Sequence, residues 1–319
     1  MVVEQTAGAR RWLRCVAAGQ TYALALAYVS SIQRPEQCRW QPGPRGPLAL
    51  LPGAGRAIPV VRLAACLAAA PTASSLSGRL LVLKAQPHPW ALHVDSLEGV
   101  IQMASEAVYA LPDLGQAPAT CCFDAVLAWE DQFLLSLAPA GLCPAGLSVP
   151  AAPYHPIPRP VTHLPPAPQV GGQLLSFRTL EHAPHDPPWC FALSLSQIAQ
   201  LLYRPPFVPV PGLAPGIVGL TWWRDALLGV IDLSQRLGGA ASPLDPTRRL
   251  LVVRAAATRA FVSFAVWPDV HLWRLPLAHR PSERQFPFQP ALICGQFDLE
   301  HTTLVIPDIN RLLPQRMAG

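Results

Sequence analysis

The chain has 319 residues, 51% of them apolar and only 13% charged, with a net charge of +5 from 24 basic and 19 acidic residues. That length suits about two domains, and the charged share is about half the usual one, so part of the surface is expected to be covered by partners. The basic residues are almost all arginine, Lys84 being the sole lysine, and no basic run or basic–aromatic stripe occurs, which argues against nucleic acid as a partner.

Residues 1–9 read as a loose tail. From Tyr22 to Leu26 the large side chains fall at every second position, the strand period. A turn-rich stretch, Gln41 to Pro47, follows, and then the apolar runs Ala57–Leu63, Arg79–Lys84, Trp90–Asp95 and Gln132–Leu137. The series then recurs. Arg79–Lys84 matches Arg249–Arg254, Ala57–Leu63 matches Leu227–Leu233, and Phe133–Leu137 matches Thr303–Pro307, all at an offset of 170; Tyr22–Leu26 matches Phe191–Leu195 at 169. A constant offset over four segments predicts an internal duplication of single-domain size, here 10–143 and 169–315.

Between the copies lies 144–168, with nine prolines in 25 residues. Such a segment is either a semi-rigid polyproline II spacer or an irregular strand packed back on a domain. Thirty-eight prolines in the whole chain argue against an all-helical protein. Each copy shows short strands and frequent Gly/Pro turns, which predicts small antiparallel barrels. One short helix per copy is expected, at Leu63–Ala69 and at Leu233–Leu237.

Catalytic chemistry finds little support. The eight cysteines form no CxxC pair, and none of the phosphate-binding or nucleophile-elbow motifs is present. His182, His185 and Cys190 lack further ligands at metal-site spacing, and Pro184 opposes the helix that two of them would need. Cys121 and Cys122 read as buried thiols, and Asp95 and Asp124 have no partnered carboxylate at recognisable spacing. The expectation is no catalytic residue, no cofactor and no metal. The start of the chain lacks the apolar stretch of a signal peptide, and no run of about 18 apolar residues is free of proline and charge; a cytoplasmic protein without membrane insertion is expected.

One stretch carries more information than the rest. Pro211 to Leu233 begins with turn residues, runs through Ile217–Leu220, turns at Thr221–Asp225 and continues through Leu227–Leu233, a hairpin pattern. Pro211, Gly219, Arg224, Val230, Asp232 and Leu233 fall on the central signature of the CheW-like domain without a gap, with Asp225 where that family has Gly and Gly229 where it has Pro. The chain therefore resembles a tandem CheW-like protein, its second copy closer to the pattern than its first. In the first, at the constant offset, Ala49 replaces the signature Gly, Ala54 replaces the Arg and Arg62 replaces the Asp.

The resemblance implies an all-β fold, each domain made of two small SH3-like five-stranded barrels on a shared apolar core, with few short helices. It also implies a non-catalytic chemotaxis adaptor whose partners are the regulatory domain of the chemotaxis histidine kinase and the cytoplasmic tips of chemoreceptors. The family's contact surfaces use the Gly and Arg of the hairpin and a Val-x-Glu on an earlier strand. Gly219 and Arg224 match the first pair, and the strand reads Ile198-Ala199-Gln200, with Gln200 in place of the Glu. Trp222 is added on chemical grounds, because Trp beside Arg on an exposed turn suits an interface anchor. The partner-binding set is thus Gly219, Trp222, Arg224, Ile198 and Gln200. Two other functions compatible with the sequence are a scaffold for a motility or polar-localisation complex and, from a different class, a metal-dependent enzyme.

Overall fold

The structure is a computed structural model that describes residues 9–43, 46–51, 57–67, 77–112, 122–130, 132–152, 154–156, 173–178, 189–213, 216–238, 249–255, 261–266, 270–274, 289–299 and 302–313. The chain divides into two compact units, Met1–Leu111 with Ala117–Arg159, and Pro112–Gln116 with Pro160–Gly319.

In the first unit the strands are β1 (Arg10–Ala17), β2 (Gln20–Ala25), β3 (Val29–Gln33), β4 (Arg39–Gly43), β5 (Gly46–Leu50) and β6 (Ala57–Arg62). The short helix α1 (Leu63–Leu67) follows, then β7 (Arg79–Leu83), β8 (Trp90–Val94), β9 (Ser96–Met103), β10 (Val108–Ala110), β11 (Phe123–Trp129), β12 (Gln132–Leu137) and α2 (Pro139–Leu142). The second unit has β13 (Gln173–Phe177), β14 (Trp189–Ser194), β15 (Ile198–Tyr203), β16 (Phe207–Pro209), β17 (Ile217–Trp223) and β18 (Ala226–Ile231). These lead to α3 (Leu233–Arg236), β19 (Arg249–Arg254), β20 (Phe261–Val266), β21 (Val270–Arg274), β22 (Ile293–Leu299), β23 (Thr302–Pro307) and α4 (Ile309–Leu312).

Each unit holds two sheets. The first unit has the orders β3-β7-β8-β6-β5-β4 and β10-β11-β12-β2-β1-β9; the second has β15-β19-β20-β18-β17-β16 and β21-β13-β14-β23-β22. Strand for strand these orders coincide, except that β10 has no counterpart among the described residues. The segments expected to correspond do so: β7 with β19, β6 with β18, β12 with β23 and β2 with β14. The sheets are antiparallel except for one parallel contact in each, β6 with β8, β12 with β2, β18 with β20 and β14 with β23. Two of the irregularities repeat as well. A register shift lies between Val29 and Ser31 in β3 and between Ile198 and Gln200 in β15, and a second pair lies at Phe123/Ala125 and Ile293/Gly295. The fold is two all-β domains built from small SH3-like barrels with few short helices.

The core of the second unit is shared by its two sheets. Phe177, Phe191, Leu193 and Val305 from one sheet meet Ile231, Leu251, Val253 and Phe264 from the other, and Leu233 of α3 with Ile309 and Leu312 of α4 close the cluster. The helices are short because each only caps a strand end. Asp232 accepts the Gln235 amide at the start of α3, and Asp308 accepts the Asn310 and Arg311 amides at the start of α4.

Of the two forms open to residues 144–168, the described part takes the packed one. Ser148 bridges to Gln86, and Tyr154 is 3% exposed, with its ring 4.7 Å from that of Trp12 and its hydroxyl 2.9 Å from the Ser136 hydroxyl. Residues 157–168 lie outside the described residues, as do Ala68 and Ala69 of the expected first helix.

Candidate partner-binding surface

The hairpin of β17 and β18 is tighter than the sequence suggested. Thr221, Trp222 and Trp223 belong to β17, with Trp223 paired to Ala226, so Arg224 and Asp225 alone make the turn. Arg224 sits at φ +54°, a left-handed conformation that costs a side-chain-bearing residue roughly 1–2 kcal/mol. Its guanidinium lies over the Trp223 ring, 4.7 Å from the centroid, a cation–π contact.

Trp223 is the residue that sequence reasoning passed over. It is 2% exposed and packs with Leu228, Val252 and Leu202. A buried indole N–H needs an acceptor, and Gln200 Oε1 provides it at 2.8 Å. The register shift in β15 makes that reach possible. Residues two apart on a regular strand face the same side, but the extra residue Ala199 lets Ile198 pack against the core while Gln200 stays exposed beside Trp223. Period-2 counting from Gly219 through Thr221 to Trp223 would have placed Trp223 on the inner face, had the run not been read as a turn.

Gln200 and Arg224 are therefore brought together through Trp223. Trp222 is half-buried and stands opposite Leu227 on the other face of the strand. Gly219 is buried and serves packing: a Cβ there would meet the Val208 carbonyl oxygen and come within 2.6 Å of the Phe207 ring. Asp232 is 2% exposed, and its side chain caps α3. At the far end of β15 the exposed Tyr203 carries the Arg249 guanidinium 4.4 Å over its ring, a second aromatic–arginine pair apart from the first.

In the first unit, strand partners correct the residue-counting comparison. Ala49 lies opposite Ile58, and Thr221 lies opposite Leu228. Ala49 thus answers to Thr221 rather than Gly219, whose place is taken by Pro47, and Leu51 answers to Trp223. Leu51 packs with Ile58 and Val82, the counterparts of Leu228 and Val252. The offset slips by two because the connection after Leu51 is longer than the two-residue turn at Arg224; Ala54 and Gly55 lie outside the described residues. The Gln200 position is held by Ser31, which has no indole to receive.

The other candidate chemistry separates. Cys190 is buried, and burial raises its thiol pKa; its sulfur lies 3.7 Å from the Thr302 hydroxyl. His182, His185 and Cys121 lie outside the described residues. Asp95 accepts the Ala18 amide at 2.9 Å. Among the described residues no group of three or more His, Cys, Asp or Glu side chains is placed to hold a metal, and no helix is long and apolar enough to cross a membrane.

Two regions of the chain, residues 11–144 and 173–316, match the family model described as "CheW-like domain". The chain belongs to the CheW-like domain family. Both copies match, the first as well as the second. The CheW-like family is one of non-catalytic scaffolds in chemotaxis signal transduction. No curated protein sequence matches the chain. Among solved structures, the scaffolding protein TtCheW from Thermoanaerobacter tengcongensis is similar at 16% identity, covering 44% of this chain and 91% of that one with a TM-score of 0.37.

Proposed function

We propose that this CheW-like protein is a non-catalytic adaptor that couples chemoreceptors to the chemotaxis histidine kinase, working in the cytoplasm at receptor arrays. The arrangement of Gln200, Trp223 and Arg224 supports this reading. The turn conformation projects Arg224 outward, the Trp223 ring holds one face of its guanidinium, and Gln200 fixes that ring. A guanidinium is a planar fork of five donors suited to a carboxylate or to carbonyls at a partner surface. Restraining it beforehand lowers the ordering cost of binding. Trp222, half-buried beside the turn, adds contact area, while Gly219 and Ile198 act through the shape of the hairpin and of β15.

The test is a titration of the full chain with the kinase regulatory domain and with receptor-tip fragments, comparing the natural protein with Arg224→Ala. A loss of about 1–4 kcal/mol, the span of interface hot spots, is expected while the variant stays folded. Unchanged affinity for both partner classes refutes the reading.

A further inference from the structure

We propose that the first unit carries a docking cleft of its own, which takes the carboxylate of an acidic segment of a partner protein. The cleft has a volume of about 440 Å³ and is lined by Arg10, Arg11 and Trp12 at the start of β1, by Lys84 just after β7, and by Tyr154 from the proline-rich segment. Three basic residues line it, the sole lysine of the chain among them, and no carboxylate is among the lining residues. In a protein with so few charges, such a one-sided cluster repels itself unless an anion joins it.

Arg10 lines the cleft as a partly buried residue, and a carboxylate is the acceptor whose two oxygens match a guanidinium. Lys84 is held at the edge of the cleft by one bond, Nζ donating to the Ala27 carbonyl at 2.7 Å, which leaves two of its three ammonium protons for a ligand. The Asp124 carboxyl, beside the Tyr154 and Ser136 hydroxyls, is not among the cleft's lining residues. Tyr154 fixes the floor by packing on Trp12.

Among the described residues of the second unit the lining differs: strand pairing places Gln173 at the position of Arg11 and Leu174 at that of Trp12, while Arg254 keeps the charge of Lys84. The two copies then differ in docking chemistry: an arginine presented on a turn in the second, a cationic cleft in the first. The proposal rests on the adaptor reading only in taking the occupant to be a protein segment.

The experiment is calorimetric titration of the full chain with a glutamate-rich decapeptide, with a lysine-rich decapeptide and inorganic phosphate as comparators. The natural protein, Arg10→Gln, Lys84→Gln and Arg224→Ala are compared, thermal melts confirming folding. The expected result is saturable one-to-one binding of the acidic peptide, weakened at least tenfold by Arg10→Gln and by Lys84→Gln, untouched by Arg224→Ala, and absent for the lysine-rich peptide. Should Arg10→Gln unfold, Lys84→Gln alone decides. No saturable binding, equal binding by the Lys84→Gln variant, equal binding of the lysine-rich peptide, or phosphate binding without peptide binding each overturns the proposal. Because Arg224 lies in the other unit, failure of kinase and receptor binding would not be mistaken for failure here.

Discussion

The hairpin β17–β18 and its counterpart β5–β6 share strand order, parallel neighbour and core contacts, yet they end differently. In the second unit the turn has two residues, a buried tryptophan precedes it, and an arginine in left-handed conformation forms it. In the first, a leucine fills the tryptophan site and a longer connection replaces the turn. A leucine satisfies the barrel interior as well as an indole does. What the indole adds is a donor that ties down Gln200 and a ring that steadies Arg224. The comparison separates what the fold requires from what it merely carries: the packing position is kept in both copies, and the polar superstructure exists in one.

The largest expected effect comes from Gly219→Val. The new side chain would be driven into the Phe207 ring and the Val208 carbonyl, and overpacking of this kind costs about 1–3 kcal/mol or more. Urea unfolding followed by a probe in the second unit should show the loss; an unchanged midpoint would mean that the backbone can shift freely there. Trp223→Leu makes the second unit resemble the first. It removes the ring's packing and both polar attachments, and about 2–3 kcal/mol of stability should go with it, somewhat below full truncation of a core aromatic. If the variant is as stable as the natural protein, the indole is not part of the barrel's support.

Arg224→Gly is smaller and opposite in sign. Glycine accepts φ +54° without strain, so the second unit should melt at the same temperature or a few degrees higher while partner affinity falls. A lowered melting temperature would show that the arginine's stack on Trp223 stabilises the hairpin more than its conformation costs.

The smallest effect concerns pH and the first unit alone. Burial pushes the Asp124 carboxyl above its ordinary range; the Tyr154 and Ser136 hydroxyls beside it oppose that rise, and its Oδ1 stays buried without a hydrogen-bond partner. The folded state therefore holds this proton more tightly than the unfolded chain. Its contribution is fully present below the ordinary carboxylate pKa and is lost as pH rises through the folded value. Asp124→Asn should flatten that part of the stability–pH curve and raise the melting temperature slightly at neutral pH. A variant whose curve parallels the natural one would exclude Asp124 as the cause.

The duplication was legible in the sequence because apolar strand cores such as Arg79–Leu83 and Arg249–Arg254 tolerate only similar residues in equal order, whatever the surface does. Arg224 was legible for a different reason, its place in a spaced signature. Trp223 was not, since a Thr-Trp-Trp-Arg-Asp run looks like a turn until strand pairing shows how little of it turns. Nor was the slip at Ala49: counting residues cannot detect a change in loop length when flanking segments stay apolar. Tyr154 was hidden most completely, because a proline-rich run has no periodicity to say which side chain will find a core.

That tyrosine bears on where the first repeat can be cut. A fragment ending at 143, where the repeated pattern itself stops, would lose the ring that covers Trp12 and the hydroxyl beside Ser136. The indole of Trp12, already without a partner for its Nε1, would then face solvent as part of an apolar scar. The first half behaves as a transferable part only when it takes with it a stretch of chain beyond the repeated pattern, so the unit of duplication and the unit of folding are not the same length.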